Sequence, residues 1–199
     1  MKQASTRNTI NIHSVIPFSR VNGPGSRMVI FFQGCGHRCT DCFNPATHPF
    51  HEVNRLTPEA LFERYLCGAG GEGIEGITVS GGDPFYQPEA LLHLLRIARE
   101  SYRLSTIVYT GFTCEEIKAD PERSRSLSFI DLLIDGRYDS TKRETTLLAR
   151  GSTNQRFHFL TERYGYDDIT LPAKAEIRIA GGGVVVKTGF SRVDTAGDA

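Results

Sequence analysis

Met28-Val29-Ile30-Phe31-Phe32-Gln33-Gly34-Cys35, the run that decides the fold, is a short apolar strand that empties into a glycine and a cysteine. Five consecutive apolar residues without alternation suit a strand covered on both faces, as in a parallel sheet. The arrangement recurs downstream. Gly76-Ile77-Thr78-Val79-Ser80 runs into Gly81-Gly82-Asp83-Pro84, Ser105-Thr106-Ile107-Val108-Tyr109 into Thr110-Gly111, and residues 129–134 into Asp135-Gly136. Helical stretches lie between. Thr57-Pro58-Glu59-Ala60 offers an N-cap and a proline at the first helical position, with a stop near Gly68, and Pro88 to Glu100 is amphipathic through Leu91, Leu92, Leu95 and Ile97. Thr113-Cys114-Glu115-Glu116 has the capping-box pattern. Such alternation predicts an α/β fold with a mostly parallel sheet and right-handed crossovers, open or partly closed into a barrel. Chemistry in these sheets sits outside the carboxyl ends of the strands, where every unusual motif of this chain falls.

Outside this unit, residues 9–18 read as a strand and Val21-Asn22-Gly23-Pro24-Gly25 as a turn. Ala175-Glu176-Ile177-Arg178-Ile179 and Val184-Val185-Val186-Lys187-Thr188 flank Gly181-Gly182-Gly183, which predicts a C-terminal β-hairpin, with fraying from Arg192 onward. No repeat, low-complexity tract or linker divides the chain, so a single domain over residues 1–199 is expected.

Composition narrows the function. Lys plus Arg and Asp plus Glu both number 23, so no bulk field recommends a nucleic acid or an anionic membrane as partner. No apolar run approaches the roughly 18 residues of a membrane span, and residues 1–11 are polar, which predicts a soluble, cytoplasmic protein. A hydrophobic fraction of 39% with 20 glycines points to a loop-rich enzyme rather than a helical bundle.

Three of the five cysteines, Cys35, Cys39 and Cys42, fall on one loop with C-x3-C-x2-C spacing, which suits a metal site in a reducing compartment. Cys67 and Cys114 stand alone and read as small buried hydrophobes. Closed zinc sites take four ligands, usually in C-x2-C pairs, and there is no second pair. A zinc-stabilised binding module would need His37, His48 or His51 as the fourth ligand. A cubane iron-sulfur cluster on three thiolates leaves one iron open to a ligand. A pure electron-transfer module would want four thiolates and would not explain the glycine turns on the same rim.

The cysteine loop after the first buried strand, with Gly81-Gly82-Asp83-Pro84 at the end of the next, resembles the radical S-adenosylmethionine superfamily. Within it the chain is similar to the activating proteins of the anaerobic class of ribonucleotide reductase. The matching stretches are Asn22-Gly23-Pro24-Gly25-Ser26-Arg27, Gln33-Gly34-Cys35, Cys42-Phe43-Asn44-Pro45, Ser80-Gly81-Gly82-Asp83-Pro84 and Tyr109-Thr110-Gly111-Phe112. Asp135-Gly136-Arg137-Tyr138, Arg150-Gly151-Ser152-Thr153-Asn154-Gln155-Arg156 and Thr188-Gly189-Phe190 continue them. Two features depart from the pattern. Asp41 stands where many members place an aromatic residue before the third cysteine, and residues 118–128 are more polar than expected, reading as a solvated loop.

The resemblance implies a partial, open β/α barrel in which Cys35, Cys39 and Cys42 hold a 4Fe-4S cluster and carry the catalytic chemistry. One iron is then chelated by S-adenosylmethionine. One electron cleaves that cofactor to methionine and a 5′-deoxyadenosyl radical, which takes hydrogen from a glycine of the partner. The implied cofactor contacts are Asp41, Cys42, Phe43, Gly81, Gly82, Asp83, Thr110, Gly111 and Asp135. Two glycines let a ligand approach the backbone closely, and Asp83 is placed to bond an ammonium group, although a plain turn explains the same run. Asn154 and Gln155 are further candidate contacts. Arg137, Lys142, Arg143, Arg150 and Arg156 either dock an acidic face of the partner or form a solvated surface. The implied partners are a glycyl radical enzyme, foremost anaerobic ribonucleotide reductase, and a flavodoxin- or ferredoxin-type electron donor. A radical enzyme acting on a small molecule or peptide is the alternative.

Overall fold

The computed structural model describes residues 9–67, 73–144, 149–169, 175–179 and 185–189. Seven strands form one sheet: β1 (Ile10–Ser19), β2 (Arg27–Phe32), β3 (Arg55–Leu56), β4 (Gly76–Gly81), β5 (Ser105–Tyr109), β6 (Leu132–Asp135) and β7 (Arg156–Phe159), in the order β3-β1-β2-β4-β5-β6-β7. Parallel pairing is confined to the centre, where β2, β4, β5 and β6 run together and Arg27 to Phe32 of β2 face Gly76 to Gly81 of β4 in register. Both flanks are antiparallel. The expectation of a mostly parallel sheet is corrected accordingly. The short connection from β1 to β2 returns the chain antiparallel, and β7 pairs antiparallel with β6 after the longer connection of residues 136–155.

The expected helices form as α1 (Pro58–Leu66), α2 (Pro88–Glu100) and α3 (Cys114–Ala119). Thr57 caps α1 by accepting from the Ala60 N–H, and Thr113 and Glu116 cap α3 reciprocally. The polar stretch at 118–128 is not a solvated loop. Asp120 accepts from the N–H groups of Glu122 and Arg123 to start α4 (Pro121–Ser124), and a 3-10 turn follows at Arg125–Phe129. Arg123 lies 4.3 Å over the Phe112 ring and Ser126 is fully buried. That turn absorbs Phe129, so β6 starts at Leu132 rather than at 129.

Two-residue periodicity decides what each face of the sheet does. Met28, Ile30, Phe32, Ile77, Val79, Val108 and Leu133 point toward the helices and bury against Leu61 and Phe62 of α1, Leu91, Leu94 and Leu95 of α2 and Ile117 of α3. The residues between them face the other way. Phe31, Thr78, Ser80 and Tyr109 line a cleft there, and Ile107, Leu132, Ile134, Ala149 and Ile169 form a smaller core beside it.

The hairpin is present as β8 (Ala175–Ile179) and β9 (Val185–Gly189), one residue later in its second strand than expected. The Asn22 side-chain amide donates to Thr188 Oγ1 at 2.8 Å and the Arg20 N–H to Glu176 Oε1 at 2.9 Å, fastening the hairpin beside β1. The expected tail from Arg192 lies outside the described residues, as does the glycine run 181–183. Cys114 is buried as expected, but Cys67 is exposed, because it caps the end of α1 beyond the buried stripe of Leu61 and Phe62. Among the described residues no helix is long and apolar enough to cross a membrane.

Candidate active site

Two glycines let the ends of β2 and β4 meet. A Cβ at position 81, where φ is +106°, would stand 2.4 Å from the backbone nitrogen of Phe32, and one at position 82 would stand 2.4 Å from the carbonyl oxygen of Gly34. No side chain fits at those distances. With the space clear, the Gly82 N–H donates to Phe32 O at 2.7 Å and the Asp83 N–H to Gly34 O at 2.9 Å. The glycine turn is thus built against the cysteine loop.

The loop is anchored at its start, where Gly34 N–H donates to Thr47 O and Cys35 N–H to His48 O. Arg38 and Asp41 then adopt left-handed backbone with φ of 51° and 54°. All three cysteines are half-buried and line one cleft of about 360 Å³, together with Gly81, Gly82, Asp83, Thr110 and Gly111. Burial pushes the Cys35 thiol up to about 11, partly opposed by the N–H groups of His37 and Arg38, and burial pushes Cys42 up as well. Metal uptake here therefore has to displace protons.

Among the described residues no group of three His, Cys, Asp or Glu closes around a single ion. Of the histidines expected to complete a zinc site, His37 is bonded to Asp83 and His51 is exposed, while His48 lines the cleft and its backbone carbonyl accepts from the Cys35 N–H. Three thiols from one loop facing a shared cleft suit a larger polynuclear body with one position left for a ligand.

Asp83 is 1% exposed and heavily committed. Its Oδ2 accepts from Thr110 Oγ1, the Gly111 N–H and His37 Nε2, each at 2.8 Å, and its Oδ1 accepts from the Phe85 N–H at 3.0 Å. The carboxylate welds the end of β4 to the end of β5 and to the cysteine loop. Asp135, by contrast, is turned away from the cleft. It accepts from the Cys114 N–H at 2.6 Å, from Arg156 at 2.5 and 3.0 Å, and lies 3.0 Å from His158, leaving Gly136 to line the cleft. Burial works against its ionised form, but Arg156 and the Cys114 N–H prevail and hold its carboxyl below the ordinary range.

Asp41 is exposed and borders a neighbouring recess rather than the main cleft. Phe43 reaches both spaces, its ring 4.7 Å from that of Tyr138 and beneath Arg143 at 5.1 Å. Gln155 lines the cleft with its amide spent on Gly151, Ser152 and Gly136, and Asn154 donates to the Arg137 carbonyl. Four of the basic residues are engaged within the chain: Arg150 with Glu144, Arg156 with Glu115 and Asp135, Lys142 with Asp139, and Arg143 over Phe43.

The sequence reading missed His37 as a partner of Asp83, and it missed the cleft floor of Asn22, Thr78, Ser80 and Tyr109. Its available signal was the polar alternation of Thr78 and Ser80 in an apolar strand. Beneath the floor lies Arg27, wholly buried. Its guanidinium donates to Thr78 Oγ1, Ser105 Oγ, the Tyr164 hydroxyl and the carbonyls of Pro24 and Ile77.

The family described as 4Fe-4S single cluster domain matches residues 21–158 of this chain. The anaerobic ribonucleoside-triphosphate reductase-activating protein of Vibrio cholerae serotype O1 is 32% identical over 157 residues, covering 76% of this chain and 99% of that protein. The protein of the same description from Enterobacteria phage T4 is 33% identical over 150 residues, covering 74% and 92%. The crystal structure of QueE from Escherichia coli aligns over 53% of each chain at 19% identity with a TM-score of 0.45.

Proposed function

The chain belongs to the 4Fe-4S single cluster domain family and to the anaerobic ribonucleoside-triphosphate reductase-activating proteins, and from that premise we propose that it generates a glycyl radical on an anaerobic ribonucleotide reductase. The observation that carries this reading is the placement of Cys35, Cys39 and Cys42 on one cleft wall, beside the glycine turn of β4. When bound, a 4Fe-4S cluster held by these cysteines would supply the one electron that cleaves the sulfonium C–S bond of S-adenosylmethionine, with methionine as the leaving group, to provide the hydrogen-abstracting chemistry for a glycine Cα.

The chain's residues hold and shield that chemistry. Cys35, Cys39 and Cys42 are the cluster ligands, and the open cleft between them and Gly81 and Gly82 receives the cofactor's amino acid end through backbone groups. Asp83 borders the same cleft and holds that surface in place, its carboxylate shared among Thr110, Gly111, His37 and Phe85. Phe43 and Tyr138 offer the apolar face for a nucleobase next to Cys42, the place that an aromatic residue at 41 would otherwise fill. The sheet is read as a partial, open β/α barrel, whose open side admits a polypeptide loop that then excludes water from the radical. A flavodoxin- or ferredoxin-type donor meets the exposed outer side of the cysteine loop, and the cytoplasm is the matching compartment.

The test mixes anaerobically reconstituted protein with S-adenosylmethionine, a one-electron reductant and the reductase. A glycyl doublet in electron paramagnetic resonance with stoichiometric 5′-deoxyadenosine is expected. Each of Cys35→Ala, Cys39→Ala and Cys42→Ala should lose cluster and signal, and Cys67→Ala should keep both. Deoxyadenosine that accumulates equally without the reductase, with no protein radical, would move the substrate to a small molecule or peptide.

A further inference from the structure

Beyond its anchored start, the cysteine loop has little to hold it. Among the described residues no backbone group from Gly36 to Asp41 is hydrogen-bonded to the strands, and the segment carries two left-handed non-glycine residues. Side chains tether it: the Tyr86 hydroxyl is hydrogen-bonded to the Gly36 backbone, and His37 reaches the end of β4. His37, midway between Cys35 and Cys39, is nearly buried and places Nε2 2.8 Å from Asp83 Oδ2. The ring stands edge-on to Phe112 at 4.5 Å and packs against Tyr86 at 5.6 Å. The fold leaves room for it, since a Cβ on Gly111 would stand 2.5 Å from His37 Cδ2. Asp83 in turn is bonded to Thr110 and to the N–H groups of Gly111 and Phe85, so the tether ends on a fixed point rather than on a mobile side chain.

We propose that His37 is a positioning residue of the metal centre, not a ligand: the His37–Asp83 hydrogen bond pins the loop across the ends of β4 and β5 and fixes the directions in which Cys35 and Cys39 present their sulfurs. The inference rests on the reading of Cys35, Cys39 and Cys42 as cluster ligands. Partners behind a ligand set, when removed, commonly cost roughly 10- to 100-fold in metal affinity or activity, and a loop that stores backbone strain depends on such a partner more than a relaxed one.

The experiment compares anaerobically reconstituted wild-type protein, His37→Gln and His37→Leu. Glutamine places an amide N–H near the position of Nε2, whereas leucine fills the slot without a donor. Iron release to a chelator and the low-temperature paramagnetic spectrum of the reduced cluster are the readouts, with far-ultraviolet circular dichroism reporting the fold. His37→Leu should fold, take up iron, release it roughly 10- to 100-fold faster and show a broadened spectrum, and His37→Gln should stay within a few-fold of wild type. Equal release rates and identical spectra for leucine, glutamine and wild type would reduce His37 to a space filler and overturn the proposal. A wild-type protein that takes up no 4Fe-4S cluster would instead overturn the ligand reading beneath it, so the two failures are distinct.

Discussion

Gly82 and Gly34 are in contact across the ends of β4 and β2: the carbonyl oxygen of Gly34 occupies the place a Cβ on Gly82 would need, 2.4 Å away, and the same carbonyl accepts from the Asp83 N–H. Neither partner in this clash is a flexible side chain, so Gly82→Ala must push the turn off the cysteine loop. Overpacking of this kind costs about 1–3 kcal/mol. The expected result is a folded protein with a lower urea midpoint and S-adenosylmethionine affinity reduced about tenfold or more in an equilibrium titration. Wild-type affinity in that variant would mean that the turn does not shape the cofactor site.

Asp83→Ala is expected to do more than weaken a ligand contact. It would strand the N–H groups of Gly111 and Phe85, the Thr110 hydroxyl and His37, all in or next to buried positions. With about 1–3 kcal/mol for an unsatisfied buried partner, a loss of several kcal/mol is expected, at about 2–4 °C of melting temperature per kcal/mol. Asp83→Asn keeps the acceptor oxygen and should retain more of the stability. Calorimetry on the two variants decides it, since equal and small losses would put the carboxylate back in the role of a ligand group.

The rim of the sheet was legible because each strand end combines a continuous apolar run with a residue type that few other places tolerate: Cys35, Gly81, Thr110 with Gly111, and Asp135 with Gly136. The helix starts at Thr57 and Thr113 were legible for the same local reason. What stayed hidden depends on distant partners. Arg55 and Leu56 are too short a run to show periodicity, and β7 is set by its pairing with β6. The directions of Asp83 and Asp135 follow from His37, 46 residues away, and from Arg156, 21 residues away, which no window along the chain contains.

Arg27 tests how the cleft floor is supported. Glycines at 23 and 76 make space for it, where a Cβ would come within 3.1 and 2.7 Å of its side chain. Its hydrogen-bond partners are neutral hydroxyls and carbonyls, and burial lowers its pKa. Arg27→Ala leaves a cavity and removes the donors to Thr78, Ser105, Tyr164 and the carbonyls of Pro24 and Ile77, for an expected cost of about 3–5 kcal/mol. Arg27→Met fills the volume without a charge to bury and should lose less. Urea denaturation of the pair checks this, and an alanine variant within about 1 kcal/mol of wild type would contradict it.

The link between Asp135 and Arg156 makes stability depend on acid. Burial disfavours the Asp135 carboxylate, but Arg156, the Cys114 N–H and His158 outweigh it and bring its folded pKa below the ordinary value. The hydrogen bonds of Arg156 also lower Glu115, to about 2, although that residue lies in solvent and contributes little. A carboxyl whose pKa is lower in the folded than in the unfolded chain binds fewer protons when folded. Its contribution is therefore complete above the unfolded value, near 3.9, and is lost as the pH falls through the folded value. Stability of the wild type should accordingly drop as the pH is taken from about 5 to below 3. Arg156→Gln removes the main favourable partner, so at pH 7 it should be about 1–3 kcal/mol less stable, an amount kept modest because the arginine is half exposed. The same variant should show a flatter decline with acid, because less of its stability is tied to the ionised carboxylate. Chemical denaturation at pH 7, 5, 4 and 3 measures both quantities. Parallel curves, with the variant offset by a constant amount at every pH, would show that Arg156 acts through packing of β7 rather than through the charge of Asp135.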